Sequence, residues 1–344
     1  MSNEPSRVTD LQSPVRTIEP DVAGEALRPG IGLCLSGGGY RAMVFHLGVL
    51  WRLNELAYLP KLERISSVSG GSITAGVLGL HWNALAFGTN GVAKAFNDLV
   101  VAPIRDLAGR TLDAKAIIGG TLLPGTIADK VAAAYDKYLF HGATIQSLPQ
   151  APRFVINATN VQSGALWRFS QPYMADYRVG RVDKPTVSLA VAVGASSAFP
   201  PVLSPVELEL APDAVKDQPG TDLHQKPYTT TVVLTDGGVY DNLGLETVWK
   251  SYRTVLVSDA GGKMQAETDP EHDWARHSLR VLDLIDNQVR SLRKRQTIEA
   301  FKRGDRQGAY WGIRTDIQDY QLATALVDAQ LPVSREFPYP DRGV

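Results

Sequence analysis

Two glycine-rich turns, about thirty residues apart, each close a short apolar run and open a helical pattern. The first reads Gly37-Gly38-Gly39-Tyr40-Arg41 and follows Ile31-Gly32-Leu33-Cys34-Leu35; the second reads Ser67-Val68-Ser69-Gly70-Gly71-Ser72 and follows Arg64-Ile65-Ser66. An apolar run of this length, stopped by glycine, reads as a buried strand. Residues 31–36 and 64–68 are therefore expected as strands. Residues 40–57 carry Ala42, Met43, Leu47, Leu50 and Leu53 around much of a helical circumference, and residues 72–80 continue as a second helix. Strand, turn and helix in succession, twice, require parallel strands joined by helical crossovers. The chain is expected to be an α/β protein.

The rest of the sequence fills in that frame. Residues 92–107 and 126–139 have helical periodicity, with Gly119-Gly120 and Pro124-Gly125 between them and no strand-like run. Region 83–150 is therefore a candidate helical cap, with ordinary crossover helices as the alternative. Strands are expected over 153–159, 166–170, 229–234 and 254–258, and a helix over 243–250. Residues 188–193 suit either helix or strand, and 211–228 read as a polar surface loop. From 279 to 303 the pattern is one long basic amphipathic helix. Val281, Ile285, Val289 and Leu292 form its apolar stripe, expected to pack inward, and Arg290, Arg293, Lys294 and Arg295 belong to a basic run expected to be solvated or to meet anionic headgroups.

Composition narrows the partners. The 35 Lys plus Arg and 36 Asp plus Glu of 344 residues leave a formal net charge of −1, so nothing global points to nucleic acid. The single cysteine, Cys34, forbids an intrachain disulfide and is expected to be a buried thiol. Residues 1–29 are polar and proline-bearing, with no apolar segment after a basic start. They read as a flexible extension without a secretory signal. A cytoplasmic protein, with peripheral contact to a membrane surface, is the expectation. From about residue 318 no motif is readable.

The two turns also carry chemistry. A serine hydroxyl becomes a nucleophile only with suitable geometry and a base. A sharp strand-to-helix bend supplies the geometry, and needs small residues two before and two after the serine. Ser69 has Ser67 and Gly71 at those positions; Ser66, Ser67 and Ser72 are its competitors. Three consecutive glycines at a helix start, Gly37, Gly38 and Gly39, can aim backbone N–H groups at an oxyanion, with Arg41 adding charge or fixing the loop. A phosphate-binding loop is the alternative, although the spacing fits neither common fingerprint. Asp236, in Leu234-Thr235-Asp236-Gly237-Gly238, ends a confident strand and is the candidate base. It is expected at the carboxyl edge of a parallel sheet, where ligands of open α/β folds bind. Of six histidines none sits in a motif; His272 or His277 would be needed for a triad in the Ser–Asp–His order.

Gly37-Gly38-Gly39-Tyr40-Arg41, the Ser69 bend and Asp236-Gly237-Gly238, with the small-residue block Ala195-Ser196-Ser197-Ala198-Phe199-Pro200, together resemble the patatin-like phospholipases over roughly residues 30–260. The resemblance implies a three-layer α/β/α sandwich with a mostly parallel central sheet, occupying residues 30–344 with the extension before it. It implies hydrolysis of acyl esters of phospholipids or lysophospholipids through a Ser–Asp dyad, with no metal or cofactor. Ser69 would be the nucleophile, Asp236 the base, and Gly37, Gly38 and Gly39 the oxyanion hole. Two positions depart from the pattern: Ser67 stands for the first glycine of the bend, and Ala42 for a glycine after the basic residue. Two other readings stay open: a catalytically weak lipid- or membrane-binding protein with a degenerate site, and an esterase or peptidase with a full triad. Oligomeric state is not written in the sequence.

Overall fold

A computed structural model describes residues 27–110, 126–201, 203–262, 264–270 and 272–315. The extension, both glycine turns between the central helical runs and the segment from 318 therefore lie outside the described residues, the extension almost entirely.

Strand β1 (Arg28–Leu35) alternates its burial between two cores. Leu33 and Leu35 point into one apolar cluster, whereas Cys34 points into another. Strand β9 (Tyr252–Asp259) does the same, with Leu256 in the first cluster and Val255 and Val257 in the second. Period-two alternation with both sides apolar means that the sheet is covered on both faces. Over the first face lie α1 (Gly39–Glu55), α2 (Gly70–His81), α3 (Ala102–Gly109), α4 (Ile127–Tyr135) and α5 (Leu189–Ser196). They contribute Met43, Leu78, Leu107, Val131 and Val193 to its core. Over the second face Leu243, Leu245 and Val248 are buried, and Phe301 of a long helix packs against them. The architecture is a three-layer α/β/α sandwich.

Among the described residues ten strands form one sheet. Besides β1 and β9 these are β2 (Leu62–Ser67), β3 (Arg153–Asn160), β4 (Ala165–Phe169), β5 (Tyr173–Asp176), β6 (Gly180–Asp183), β7 (Val206–Glu209), β8 (Thr231–Asp236) and β10 (Gln307–Gly312). The main path runs β10-β9-β1-β2-β3-β4-β5-β6. It is parallel from β10 to β3 and antiparallel from β3 onward, so the sheet is mixed.

One feature of this register places the site. Strand β2 runs parallel to β3 and ends with Ser67 opposite Ile156. Strand β8 runs antiparallel to β3 and ends with Asp236 opposite Ala158. The opposite edge of β3 is taken by β4. Thus β2 and β8 approach each other head-on along a single edge of β3 and stop two positions apart. The sequence-based expectation of a parallel strand before Asp236 is corrected here. The Asp236 turn reaches the Ser69 bend because the strand comes from the opposite direction.

The described parts of region 83–150, residues 83–110 and 126–150, contribute to the first core. Ile104, Leu107, Val131, Tyr135, Leu139 and Phe140 are buried in the first core. Thr126 and Asp129 start α4 with a reciprocal capping box. The ambiguous 188–193 segment is helical, and its Gly194 lies close against Ala132. A short helix, α6 (Gly238–Asp241), follows β8, and another, α7 (Glu246–Trp249), precedes β9.

The long helix α8 (Trp274–Arg303) begins earlier than its periodicity suggests. Asp273 caps its amino end by accepting from the Arg276 N–H, and Gly304 at φ 79° ends it. Its orientation reverses the expectation. Val281, Ile285, Val289 and Leu292 are exposed, while Arg290 and Thr297 are buried. Residues 286, 290, 293 and 297 share one helical face. That face is polar and turned inward: Asp286 meets Asn242, Arg290 pairs with Asp259 at 3.8 Å, and Arg293 pairs with buried Asp241 at 3.6 Å. The apolar stripe is left pointing out because specific polar partners hold the other side.

Candidate active site

Ser69 sits between β2 and α2 at φ 51°, ψ −122°. A non-glycine residue with positive φ is strained, and such strain persists only where the surroundings enforce it. Three serines do so. The Ser69 N–H donates to Ser196 Oγ at 3.0 Å; Ser196 Oγ is 2.9 Å from Ser72 Oγ; and the Ser72 hydroxyl donates to Ser67 Oγ at 3.0 Å. Ser67 and Ser72, rivals for the nucleophile in the sequence, are fully buried supports. The departure at Ser67 is thereby accounted for: its hydroxyl completes the chain that braces the bend. Gly71 is required by proximity, since a Cβ there would lie 2.6 Å from the Leu35 carbonyl oxygen and 2.7 Å from that of Ser36.

Asp236 is held from the other side by the same small-residue segment. Its N–H donates to the Ala198 carbonyl at 2.9 Å, and the Gly237 N–H donates to the Ser196 carbonyl at 3.2 Å. Ser196 therefore grips the Ser69 bend with its side chain and the Asp236 turn with its backbone. The Asp236 carboxylate accepts from the Gly238 N–H at 2.7 Å, and the Ser69 hydroxyl is near enough to favour its ionised form. Burial pushes its pKa up to about 7; those two donors work against the rise, and the Asp286 carboxylate adds to it. A carboxylate with that value is poised to take and return a proton near neutrality.

The glycine loop contributes unequally. The Gly37 N–H is already taken, donating to the Asn242 main-chain carbonyl at 2.9 Å and to Asn242 Oδ1 at 3.0 Å. Gly38 at φ 137° and Gly39 at φ 63° adopt backbone that favours glycine. Among the described residues no protein acceptor takes their N–H groups. Arg41 donates through Nε to the Ala260 carbonyl at 3.2 Å, tying the start of α1 to the end of β9.

Gly37, Gly38, Gly39, Arg41, Ser69 and Asp236 all line one cleft of about 720 Å³. Its apolar walls include Ile73, Tyr135 and Phe199 on one side and Leu282, Ile285 and Val289 of α8 on the other. Tyr135 is the sole contribution of region 83–150 among the described residues, whereas α8 contributes Leu282, Ile285 and Val289. No described histidine lines the cleft. His46 is buried with its ring bonded to Ser258 Oγ and the Ser36 carbonyl, and burial lowers its pKa to about 4, which keeps it neutral. Asn242 and Asp286, whose side chains meet at 2.8 and 2.9 Å, also line the cleft and were not singled out from the sequence. Both had a signal without an assigned role: Asn242 closes the Asp236 run, and Asp286 opens the run Asp286 to Arg295, which is similar to bacterial members of the family.

The strained Ser69 bend, the buried Asp236 carboxylate and the glycine loop thus line one cleft of an α/β/α sandwich. The family model for patatin-like phospholipase matches residues 33–249, and the chain belongs to that family. Among solved structures it is similar to human GIVD cytosolic phospholipase A2 in complex with methyl gamma-linolenyl fluorophosphonate inhibitor and terbium chloride. That match has 18% identity and a TM-score of 0.41, covering 67% of this chain and 40% of that one. A further structure of human GIVD cytosolic phospholipase A2 matches at 16% identity and TM-score 0.41, covering 69% and 46% respectively. VipD from Legionella pneumophila matches at 18% identity and TM-score 0.33, covering 70% of this chain and 51% of that one. The chain thus spans about half or less of the length of these solved chains. No curated protein matches it.

Proposed function

We propose that this chain is a serine acyl hydrolase that cleaves the fatty-acyl ester of a phospholipid or lysophospholipid. The observation that carries the reading is the meeting in one cleft of the strained Ser69 bend and a buried Asp236 carboxylate whose pKa is pushed up to about 7. Ser69 Oγ attacks the ester carbonyl carbon and its proton passes to Asp236. The carbonyl oxygen becomes an oxyanion, facing the unoccupied N–H groups of Gly38 and Gly39. The C–O bond to the alcohol breaks, the alcohol leaves with the proton from Asp236, and an acyl-enzyme remains. Water then gives a proton to Asp236 and attacks the acyl carbon. The fatty acid departs, and the proton returns to Ser69.

The apolar cleft walls suit an acyl chain. The exposed apolar side chains of α8 beside the cleft suit peripheral contact with a lipid surface. No helix among the described residues is long and apolar enough to cross a membrane.

The test is hydrolysis of p-nitrophenyl acyl esters by the purified chain. Ser69→Ala is expected to remove turnover by at least ~1,000-fold. Turnover that survives Ser69→Ala ends the proposal. An inactive chain that still binds lipid would favour the reading of a catalytically weak binding protein.

A further inference from the structure

Asp286 lies on α8, beyond the 33–249 span matched by the family model. Both of its carboxylate oxygens accept from Asn242 Nδ2, at 2.8 and 2.9 Å. An ionised carboxylate can only accept, so it draws the NH2 of Asn242 toward itself and leaves the amide oxygen facing the other way. On that other side the oxygen accepts from the Gly37 N–H at 3.0 Å. The contact suits glycine alone, because a Cβ at position 37 would stand 2.4 Å from Asn242 Oδ1. The next two residues are Gly38 and Gly39, which line the cleft and whose N–H groups have no protein acceptor among the described residues. We propose that Asp286 is a positioning residue for the glycine loop, acting through the Asn242 amide to fix the Gly37 peptide. The proposal rests on the hydrolase reading for its functional meaning, and on the hydrogen-bond chain for its existence.

Asp286 has a second line of action on the site. Its negative charge faces Asp236 across the cleft and helps to raise that carboxyl's pKa. The groups facing Asp286 are Asn242 from the turn after α6, Arg290 and Asp283 from its own helix, and Asp259 from the end of β9. Burial, Asp283 and Asp259 raise its pKa, while Asn242 and Arg290 lower it. The groups facing Asp236 are the Ser69 hydroxyl and the Gly238 N–H, besides Asp286, with Tyr135 within electrostatic reach.

The experiment uses the full chain labelled with 15N-glycine, compared with Asp286→Ala and Asp286→Asn. Two quantities are read: hydrogen exchange at the Gly37 amide, and the pH profile of p-nitrophenyl ester hydrolysis. Asp286→Ala is expected to speed Gly37 exchange by about tenfold or more and to lower kcat by roughly 10- to 100-fold, with KM changed less than about twofold. Asp286→Asn, whose amide oxygen can still accept from Asn242, is expected to recover most of both losses. Its acid limb should nonetheless lie at lower pH than that of the parent, because a negative neighbour of Asp236 is gone. A folded Asp286→Ala with parental Gly37 exchange and parental kcat overturns the proposal. If Asp286→Ala does not fold, an acid limb that stays in place in Asp286→Asn overturns it. A parent chain without esterase activity defeats the hydrolase reading instead, and Gly37 exchange alone then decides whether Asp286 holds the loop.

Discussion

Asp236 illustrates how one environment serves two ends. The folded protein holds its proton up to about pH 7, whereas an unfolded chain releases it near ~4. Between those values the native state binds more protons, so stability falls as pH rises from about 4 to about 7 and stays reduced above. Asp236→Asn removes the buried charge and keeps an acceptor for the Gly238 N–H. It is expected to raise unfolding free energy by ~1–4 kcal/mol near pH 8 and by little near pH 4, read from urea midpoints, while abolishing hydrolysis. An equal gain at both pH values would contradict this account of the group. At this scale the sequence was informative where a residue carries its own local pattern. Ser69 announced itself through small neighbours and Asp236 through its turn. Ser196 stood only within a small-residue block and Asp286 only at the start of a basic run, because their roles depend on partners more than forty positions away.

The elements were legible as types and less so as orientations. The long helix was visible from its period, yet the rule that an apolar stripe faces the core failed for α8. Burying Arg290, Arg293 and Asp286 is tolerable because each has a partner, and those partners come from two segments distant in sequence, Asp241-Asn242 and the end of β9. Periodicity cannot register such distant matches. Strands β5, β6, β7 and β10 escaped detection for a related reason. They are short or glycine-bearing, and charged residues such as Arg181 and Asp183 interrupt the pattern. The outward stripe has a measurable consequence. Val281 and Leu292 are 39% and 52% exposed, so Val281→Ser with Leu292→Ser should change stability by less than ~1 kcal/mol. If the stripe meets lipid, the same double variant should weaken cosedimentation with phosphatidylcholine vesicles by roughly tenfold. Unchanged vesicle binding would remove α8 from the lipid contact.

For the whole molecule, the α/β class followed from two strand–turn–helix repeats, but the mixed sheet did not. No local pattern distinguishes a strand that runs with β3 from one that runs against it, and the head-on meeting of β2 and β8 is a property of register alone. The central helices were equally ambiguous: Phe140 is 1% exposed within the core that also holds Phe154 of β3. Phe140→Ala is accordingly expected to cost about 3–5 kcal/mol and to lower one shared unfolding transition, seen alike by near- and far-ultraviolet circular dichroism. An early separate transition would instead mark an independent cap. The central claim is that sheet register, a serine-braced bend and a buried carboxylate together make Ser69 the nucleophile. It is tested most directly by treating the chain with a fluorophosphonate and mapping the adduct by mass spectrometry. The account predicts a single covalent adduct on Ser69, lost in Ser69→Ala; an adduct on another residue, or none on a folded chain, would contradict it.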